Sequence, residues 1–345
     1  MFSRILSLVL ISFLTRLTGQ IHSPNDFFGY ELGSNFSRHH QVVDYFQYLD
    51  QNSSGIKVVP YGKTSEGRIL QLVFISDPEN LKNLEDIRTI HLRDSNSING
   101  TKNNDKVIVW LSYGVHGNES SSTEASMETA YALITKHQVW LKDTIVILDP
   151  CINPDGRDRY VNFYNQSKST PYDTNRITRE HEEPWHSGRT NHYIFDLNRD
   201  WAWLTQIESQ QRIKQYNKWL PHIHVDFHEQ GINSPYYFAP AAEPLHEVIT
   251  DYQKDFQDAL GRNHAKYFDK EGWFYFTKQH FDILYPSYGD SYPMYLGSIG
   301  MTYEQAGGGV AGLGIKNDEN IELTLKDRIK HHLTTASSIN NISIK

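Results

Sequence analysis

The sequence has few of the features that mark a disulfide scaffold or a nucleic-acid-binding protein. Its 345 residues include one cysteine, Cys151, so no disulfide can form within the chain. The chain has 33 lysine and arginine residues and 41 aspartate and glutamate residues, which gives a formal net charge of -8. It contains no conspicuous run of basic residues. We therefore expect neither nucleic acid nor an anionic membrane surface as a partner. An exported protein of this composition must rely on its core or on a metal for stability.

Long apolar runs are also scarce, and the clearest one lies near the N-terminus. Residues 5–14 form the stretch ILSLVLISFL, which follows one arginine and precedes small residues. This layout is typical of a secretory signal peptide, and the run is too short to span a bilayer. We predict a signal peptide over 1–19 and a secreted or periplasmic domain over 20–345, with no stable membrane insertion after the signal is removed. An uncleaved anchor is the alternative, because Arg16 interrupts the run.

Predicted strands alternate with predicted helices along the rest of the chain. Apolar stretches of strand length occupy residues 70–76, 107–112, 144–148, 222–228 and 298–303. Helical spacing of apolar residues predicts helices at 36–51, just after Glu119, and at 204–220, 247–268 and about 320–339. The expected fold class is α/β, with a mixed, mostly parallel central sheet flanked by helices on both faces. Ligands should gather at the carboxyl ends of the strands.

Local patterns add three expectations. Ser121 with Glu124 matches a capping box at the start of the helix after Glu119. The letters NPDG at 153–156 predict a turn. The polar residues 160–192 show little periodicity and predict a long surface loop.

Residues that can bind a metal follow several of the predicted strands. His116 and Glu119 come after the strand at 107–112, and His228 ends the strand HIHVDFH. Two imidazoles and a carboxylate are a usual ligand set of a catalytic zinc site, which leaves one position to water. Glu304, which ends SIGMTYE, is placed as a further glutamate that could serve as the general base.

The order of these motifs resembles that of the zinc metallocarboxypeptidases, which have the carboxypeptidase A-like fold. HGNE, NPDGR, GRTN, FDLNRDW, VDFHEQ and TYEQ occur in the family's order over roughly residues 30–339. The chain looks most like a bacterial secreted branch, whose members often continue into further C-terminal domains. The resemblance implies a zinc-dependent peptide hydrolase with one zinc ion per chain and the C-termini of peptides or proteins as its substrates.

The resemblance also implies a role for each matching residue at the metal. His116, Glu119 and His228 would hold zinc, and Glu304 would take a proton from the attacking water and pass it to the leaving amine. Arg189 in GRTN would polarise the scissile carbonyl and stabilise its oxyanion.

Three residues of FDLNRDW and one tyrosine complete the implied site. Asn198 and Arg199 would grip the terminal carboxylate of the substrate, a task that suits a planar guanidinium. Asp196 would orient the first histidine ligand. The family's tyrosine that closes over the substrate has three candidates in YPSYGDSY, namely Tyr285, Tyr288 and Tyr292, and the spacing to the following glycine favours Tyr285.

Other functions compete with this interpretation. His222, His224, Asp226 and His228 alternate along one strand and so point to one face. Their H-x-H pattern would fit an amidohydrolase-type site, but HGNE, DLNR and TYEQ then have no role. On the favoured interpretation His222 and His224 are sheet residues that face helices. An amide hydrolase of the same fold acting on peptidoglycan peptides, and an exported binding protein without catalysis, are the remaining alternatives.

Overall fold

The computed structural model describes residues 20–95, 97–100 and 105–342. The predicted signal peptide at 1–19 lies outside these residues. Among the helices that are described, none has both the length and the hydrophobicity that a membrane crossing requires.

The described residues form alternating strands and helices. The α-helices are α1 (Pro24–Phe28), α2 (His39–Asn52), α3 (Pro78–Lys82), α4 (Leu84–Asp94), α5 (Ser121–Thr135), α6 (Pro154–Ser167), α7 (Ile207–Trp219), α8 (Asp251–Glu271), α9 (Ser291–Tyr295) and α10 (Leu325–Ile342). The strands are β1 (Ile56–Lys63), β2 (Ile69–Ile75), β3 (Val107–Tyr113), β4 (Thr144–Asp149), β5 (Ile223–Gln230), β6 (Tyr236–Tyr237), β7 (Tyr275–Phe276), β8 (Ile299–Ala306), β9 (Gly314–Lys316) and β10 (Glu322–Thr324). Short 3₁₀ turns lie at Gln138–Lys142, Arg179–His181 and Leu197–Arg199.

Eight of these strands form the central sheet, in the order β1-β2-β4-β3-β5-β8-β6-β7. The inner strands β4, β3, β5 and β8 run parallel to one another. The strand β2 joins β4 in the antiparallel sense, and β6 does the same with β8. The predicted mixed, mostly parallel sheet is therefore confirmed, and the carboxyl ends of its central strands share one edge.

Helices cover both faces of the sheet, as the sequence predicted. Val109 and Leu111 of β3 belong to the apolar cluster that includes residues of α2, α5, α6, α8 and α10. Ile108 and Trp110 face the other way, into a cluster with residues of α3, α4 and α7. Neighbouring side chains of a strand point to opposite faces, so a strand buried on both sides needs an unbroken apolar sequence. This is why β3 and β4 were recognisable from sequence.

The strand β1 was missed by the sequence analysis. Its letters IKVVPYGK contain a proline and a glycine, and its register against β2 shifts between Pro60 and Gly62. Proline cannot donate to a strand ladder and is confined to sheet edges and bulges. The strand β1 lies at the edge of the sheet, where its proline and glycine are tolerated. Its pairing with the antiparallel strand β2 is a contact that local residue propensities do not predict.

Two of the local predictions were wrong at α6. The letters NPDG begin this helix instead of forming an isolated turn, because Asn153 Oδ1 accepts a hydrogen bond from Gly156 N at 3.0 Å and caps the helix. Asparagine followed by proline is common in turns and at helix starts, so the dipeptide did not discriminate between them. The helix continues to Ser167, and the irregular segment therefore begins at 168 and not at 160.

The capping box predicted for α5 is absent, since tertiary partners take both of its side chains. The hydroxyl of Ser121 donates to Glu229 Oε1. The carboxylate of Glu124 accepts hydrogen bonds from Ser37 N at 2.7 Å and from Arg157 Nη2 at 2.5 Å. The side chains of Glu124 and Arg157 are 0% and 1% exposed, so this ion pair joins α5 to α6 without contact with water.

Replacement of one partner of this buried pair should cost much of the fold's stability. We expect Arg157→Leu to lower the free energy of unfolding by about 3–5 kcal/mol, because Glu124 keeps a buried charge with no counter-charge. Urea unfolding followed by tryptophan fluorescence measures the change. Lys254→Leu is the control, since it removes an exposed pair with Asp251 that contributes about 0.5 kcal/mol or less. Equal effects of the two substitutions would contradict the role of the buried pair.

Candidate metal centre and active site

The loop between β3 and α5 carries His116 and Glu119 and lies tightly against the start of α6. A Cβ atom on Gly117 would come within 2.1 Å of Arg157 N, so a side chain cannot fit between the two segments. Gly114 has a φ of 66° and would place a Cβ atom 2.5 Å from Thr123 Oγ1. Glycine adopts this left-handed conformation without strain, which lets the chain turn sharply out of the sheet. The two metal-competent side chains thereby stay at the sheet edge.

The register of β5 and β8 brings His228 and Glu304 side by side. These two residues are direct partners in the parallel pairing, and Phe227 is paired with Tyr303. Residues in register on neighbouring strands point to the same face of a sheet. The imidazole and the carboxylate therefore emerge together at the carboxyl edge.

His116, Glu119 and His228 form a compact, buried set of potential metal ligands. One donor atom from each lies within 4.8 Å of the others. His116 Nδ1 is 3.2 Å from His228 Nδ1 and 2.8 Å from Glu119 Oε1, and Glu119 Oε2 is 3.1 Å from His228 Nδ1. Zinc bonds of about 2 Å in tetrahedral geometry place donor atoms roughly 3 Å apart, so the arrangement fits a zinc ion.

Asp196 lies behind the first histidine. Its Oδ1 is 2.9 Å from His116 Nε2, and its Oδ2 accepts a hydrogen bond from Arg189 Nη2 at 3.0 Å. Burial opposes ionisation, but the hydrogen bond with His116 and the charge of Arg189 hold the pKa of Asp196 well below its usual range. An ionised acceptor at Nε2 would leave Nδ1 free to bind a metal, and this orienting role of Asp196 stays a prediction.

Arg189 reaches the metal centre from the irregular segment that precedes α7. Its Nη1 donates to Glu119 Oε1 at 3.0 Å while its side chain remains 39% exposed. The guanidinium is therefore anchored by Glu119 and Asp196 and still accessible to a ligand. A fixed cation at this position can meet negative charge that develops beside the metal.

Asn198 and Arg199 lie in the same pocket as the metal ligands. The pocket has a volume of about 290 Å³. The guanidinium of Arg199 lies 4.5 Å from the centre of the Tyr288 ring, and Asn198 Oδ1 accepts a hydrogen bond from Gly289 N at 2.8 Å. The cation is half exposed and faces the pocket, so a carboxylate can reach it.

Glu304 is buried beside the ligands and lines the pocket. Burial raises the pKa of its carboxyl group to about 8, and the neighbouring Glu119 adds to the rise against the charge of His228. A zinc cation bound beside Glu304 would lower this pKa toward neutrality, where the carboxylate can serve as a general base.

The three candidate tyrosines occupy different places. Tyr285, the residue favoured by spacing, accepts a hydrogen bond from Trp203 Nε1 at 2.8 Å and is outside the set that lines the pocket. Tyr288 lines the pocket. Tyr292 packs against Trp201 and Tyr216. The structure thus brings Tyr288, and not Tyr285, next to Arg199, while the substrate contact of Tyr285 stays a prediction.

The sequence analysis missed several residues that line the pocket. Asp282, Asp290 and Thr302 contribute to its wall together with His280 and Phe281. Thr302 could have been found, since it precedes Glu304 by two in the same strand and points to the same face. His280, Phe281, Asp282 and Asp290 follow no periodic pattern, so no local signal placed these four residues at the site.

The histidines of the rival H-x-H pattern do not join the ligand set. His222 Nδ1 accepts a hydrogen bond from Ile108 N at 3.0 Å, and its ring packs against His91. His224 is buried between Trp201 and Tyr216. Within the described residues, the cluster of metal-competent side chains is His116, Glu119 and His228, which argues against the amidohydrolase-type site.

Comparisons with known proteins show the family and the fold. The sequence model of the family described as zinc carboxypeptidase matches residues 42–306. No curated protein sequence matches the chain. Among solved structures, the metallo-carboxypeptidase from Burkholderia cenocepacia has a TM-score of 0.62 and 16% identity, over 90% of this chain and 70% of that one. Carboxypeptidase A from Helicoverpa armigera has a TM-score of 0.59 and 15% identity, over 90% and 74% of the two chains.

A third similar structure contains a bound compound. It is the metallo-carboxypeptidase from Pseudomonas aeruginosa in complex with (2-guanidinoethylmercapto)succinic acid, with a TM-score of 0.55 and 13% identity, over 90% of this chain and 70% of that one. At identities this low, these structural likenesses show a shared fold.

Zinc should stabilise the metal-free protein through the three-residue ligand set. At a free zinc concentration 100 times the Kd, the stabilisation is about 2.7 kcal/mol, which raises the Tm measured by calorimetry. His228→Ala should abolish the rise because it removes one ligand. His222→Ala, which changes an exposed histidine of the same segment outside the cluster, should keep it. A rise that survives in His228→Ala and is lost in His222→Ala would favour the H-x-H site instead.

Proposed function

Because the chain belongs to the zinc carboxypeptidase family, we propose that it removes C-terminal residues from peptides and proteins, with one zinc ion held by His116, Glu119 and His228. The family makes the chain a zinc-dependent metallocarboxypeptidase. Export is part of the proposal and rests on the signal-like stretch at 1–19. One observation carries the assignment: the compact ligand set, Glu304 and Arg199 share a single pocket.

The proposed chemistry divides between the metal and the side chains around it. Bound zinc supplies a Lewis acid that polarises the scissile carbonyl and lowers the pKa of water to about 7. Glu304 accepts a proton from the attacking water and then delivers it to the nitrogen of the leaving amine. A general base whose pKa lies near the operating pH can make both transfers.

The arginines have separate tasks in this mechanism. Arg189, held by Glu119 and Asp196, offers its donors to the carbonyl oxygen as negative charge develops on it. Arg199, with Asn198, binds the terminal carboxylate of the substrate. Only the C-terminal end of a peptide carries a main-chain carboxylate that Arg199 can bind while the neighbouring peptide bond lies at the metal. Cleavage is therefore limited to the last residue.

The base role of Glu304 has a direct test. Glu304→Gln should lower kcat by about 10²- to 10⁴-fold, because the amide cannot accept the proton, while zinc content stays unchanged. Single-turnover kinetics and metal analysis measure the two quantities. Glu183→Gln is the control, since Glu183 contacts Asn118 in the loop that carries Glu119 but has no role in the proposed chemistry. This variant should keep turnover near that of the unaltered enzyme. Substantial turnover in Glu304→Gln would remove Glu304 from this role.

The anchoring role of Arg199 predicts dependence on a free carboxylate. Arg199→Ala should raise KM for peptides with free C-termini by about 10- to 100-fold, the loss of a charge-assisted hydrogen bond, with a smaller change in kcat. Arg262→Ala, an exposed arginine on α8, should leave KM unchanged.

A pool of peptides with free and amidated ends, analysed by mass spectrometry, tests the whole proposal. Loss of single residues from free ends alone supports the carboxypeptidase. Equal trimming of amidated peptides would contradict the anchoring by Arg199. Cleavage of peptidoglycan peptides without trimming of ordinary peptides would assign the site to the related amide hydrolase.

A further inference from the structure

A second carboxylate, Asp226, lies against the metal centre. It precedes His228 by two residues in β5, so both side chains point to the same face of the sheet. Asp226 Oδ2 is 3.0 Å from His228 Nε2, and both side chains are almost completely buried. The distance is close to the 2.9 Å that separates Asp196 from His116 Nε2. Each histidine of the ligand set therefore has its own carboxylate behind it.

The orientation of the His228 ring determines which neighbouring group can accept a hydrogen bond from Nε2. Nδ1 faces Glu119 and His116 at the proposed metal position, so in a neutral imidazole that binds metal through Nδ1 the proton sits on Nε2. Asn198 Nδ2 lies 3.3 Å from Nε2, but an amide nitrogen cannot accept that proton. The carboxylate of Asp226, 3.0 Å away, is an acceptor within reach; the contact is an ion pair without hydrogen-bond alignment, and a rotation of the ring toward Oδ2 would align it.

The backbone holds Asp226 in this position. A Cβ atom on Gly289 would lie 1.9 Å from Asp226 Oδ2 and 3.1 Å from Trp201 Nε1. The carboxylate therefore occupies the space that any side chain at 289 would fill. Gly289 N donates to Asn198 Oδ1, so the same residue is tied to the substrate pocket.

Several buried polar side chains near Asp226 have no direct hydrogen-bond partner among the described residues. Arg212 is fully buried and stacks on Trp201, with its guanidinium carbon 3.9 Å from the ring centre. In the described part of the chain, both carboxylate oxygens of Asp226, the three guanidinium nitrogens of Arg212, both ring nitrogens of His224 and Trp201 Nε1 have no aligned hydrogen-bond partner. Buried groups of this kind are satisfied by ordered water in folded proteins.

Arg212 supplies a counter-charge for the buried Asp226. Burial lowers the pKa of Arg212, and the charges of Asp149 and Asp226 oppose that effect. The cation is therefore close enough to interact with Asp226. A buried carboxylate without such a partner would be strongly destabilising.

We propose that Asp226 is a second positioning residue of the metal centre, which accepts the Nε2 proton of His228 and so aims Nδ1 at the zinc ion. The inference rests on the proposed metal centre, and it assigns Asp226 to His228 as Asp196 is assigned to His116. Outer carboxylates of this kind fix the ring orientation of a ligating histidine and raise its basicity.

Zinc affinity, measured by competition with a chromophoric chelator, tests the assignment. Asp226→Asn should weaken zinc binding by about 10- to 100-fold, and Asp196→Asn should weaken it to a similar degree. Asp149→Asn is the matched control: Asp149 is fully buried and electrostatically coupled to Arg212, but its carboxylate contacts Tyr61 and no metal ligand. It should leave zinc affinity unchanged. Equal affinities of Asp226→Asn and Asp149→Asn would overturn the proposal.

A measurement on the unaltered protein covers the case in which Asp226→Asn does not fold. With zinc bound and histidine labelled with ¹⁵N, the NMR spectrum should show slowly exchanging Nε2 protons for both His116 and His228. Asp196→Asn should remove or shift the His116 signal and leave the other. Absence of a protected proton on His228 would refute the role of Asp226. Failure of the unaltered chain to bind zinc would instead refute the proposed metal centre itself, and the inference with it.

Discussion

The carboxylate of Glu119 ties together the two parts of the chain that form the metal centre. Its Oε1 contacts His116 Nδ1 and Arg189 Nη1 at 2.8 and 3.0 Å. Its Oε2 contacts His228 Nδ1 at 3.1 Å and accepts a hydrogen bond from Glu229 N at 2.9 Å. One side chain from the loop after β3 is thereby fastened to the end of β5, and the proposed metal, oxyanion and base positions all depend on that contact.

Buried ion pairs hold the surrounding segments in the positions that this contact needs. Glu229, which follows His228, pairs with Arg328 of α10 at 3.0 Å and accepts a hydrogen bond from Ser121 N at 2.9 Å. The pair of Glu124 and Arg157 joins α5 to α6 on the other side of the loop. A buried charge is tolerated only when it is paired and hydrogen-bonded, so each network allows few alternative positions of the loop. Rigidity at the site therefore follows from buried ion pairs that hold the segments on both sides of the loop.

Strands and helices with strong sequence patterns were predicted correctly. The predictions failed where the same residues occur in two kinds of local structure. The buried strands β3 and β4 have unbroken apolar letters, and α8 and α10 have clear helical spacing. The start of α6 was assigned to a turn because Asn153 and Pro154 are common in both. The capping box at Ser121 was predicted because a sequence pattern shows only contacts between residues that are near one another in the chain. In the folded chain, Glu229 takes the hydroxyl of Ser121 and Arg157 takes the carboxylate of Glu124.

At the candidate site, the sequence by itself determined the residue types and their order: two histidines and a glutamate after buried strands, a further glutamate at the end of β8, and the letters DLNR between them. Strand ends are visible locally, and parallel strands bring their carboxyl ends to one edge. Only the tertiary structure decided that Tyr288 lies beside Arg199, and that Asp226 reaches the outer nitrogen of His228. Those contacts depend on strand register and on the close approach of Gly289 to Asp226, which join segments far apart in the chain.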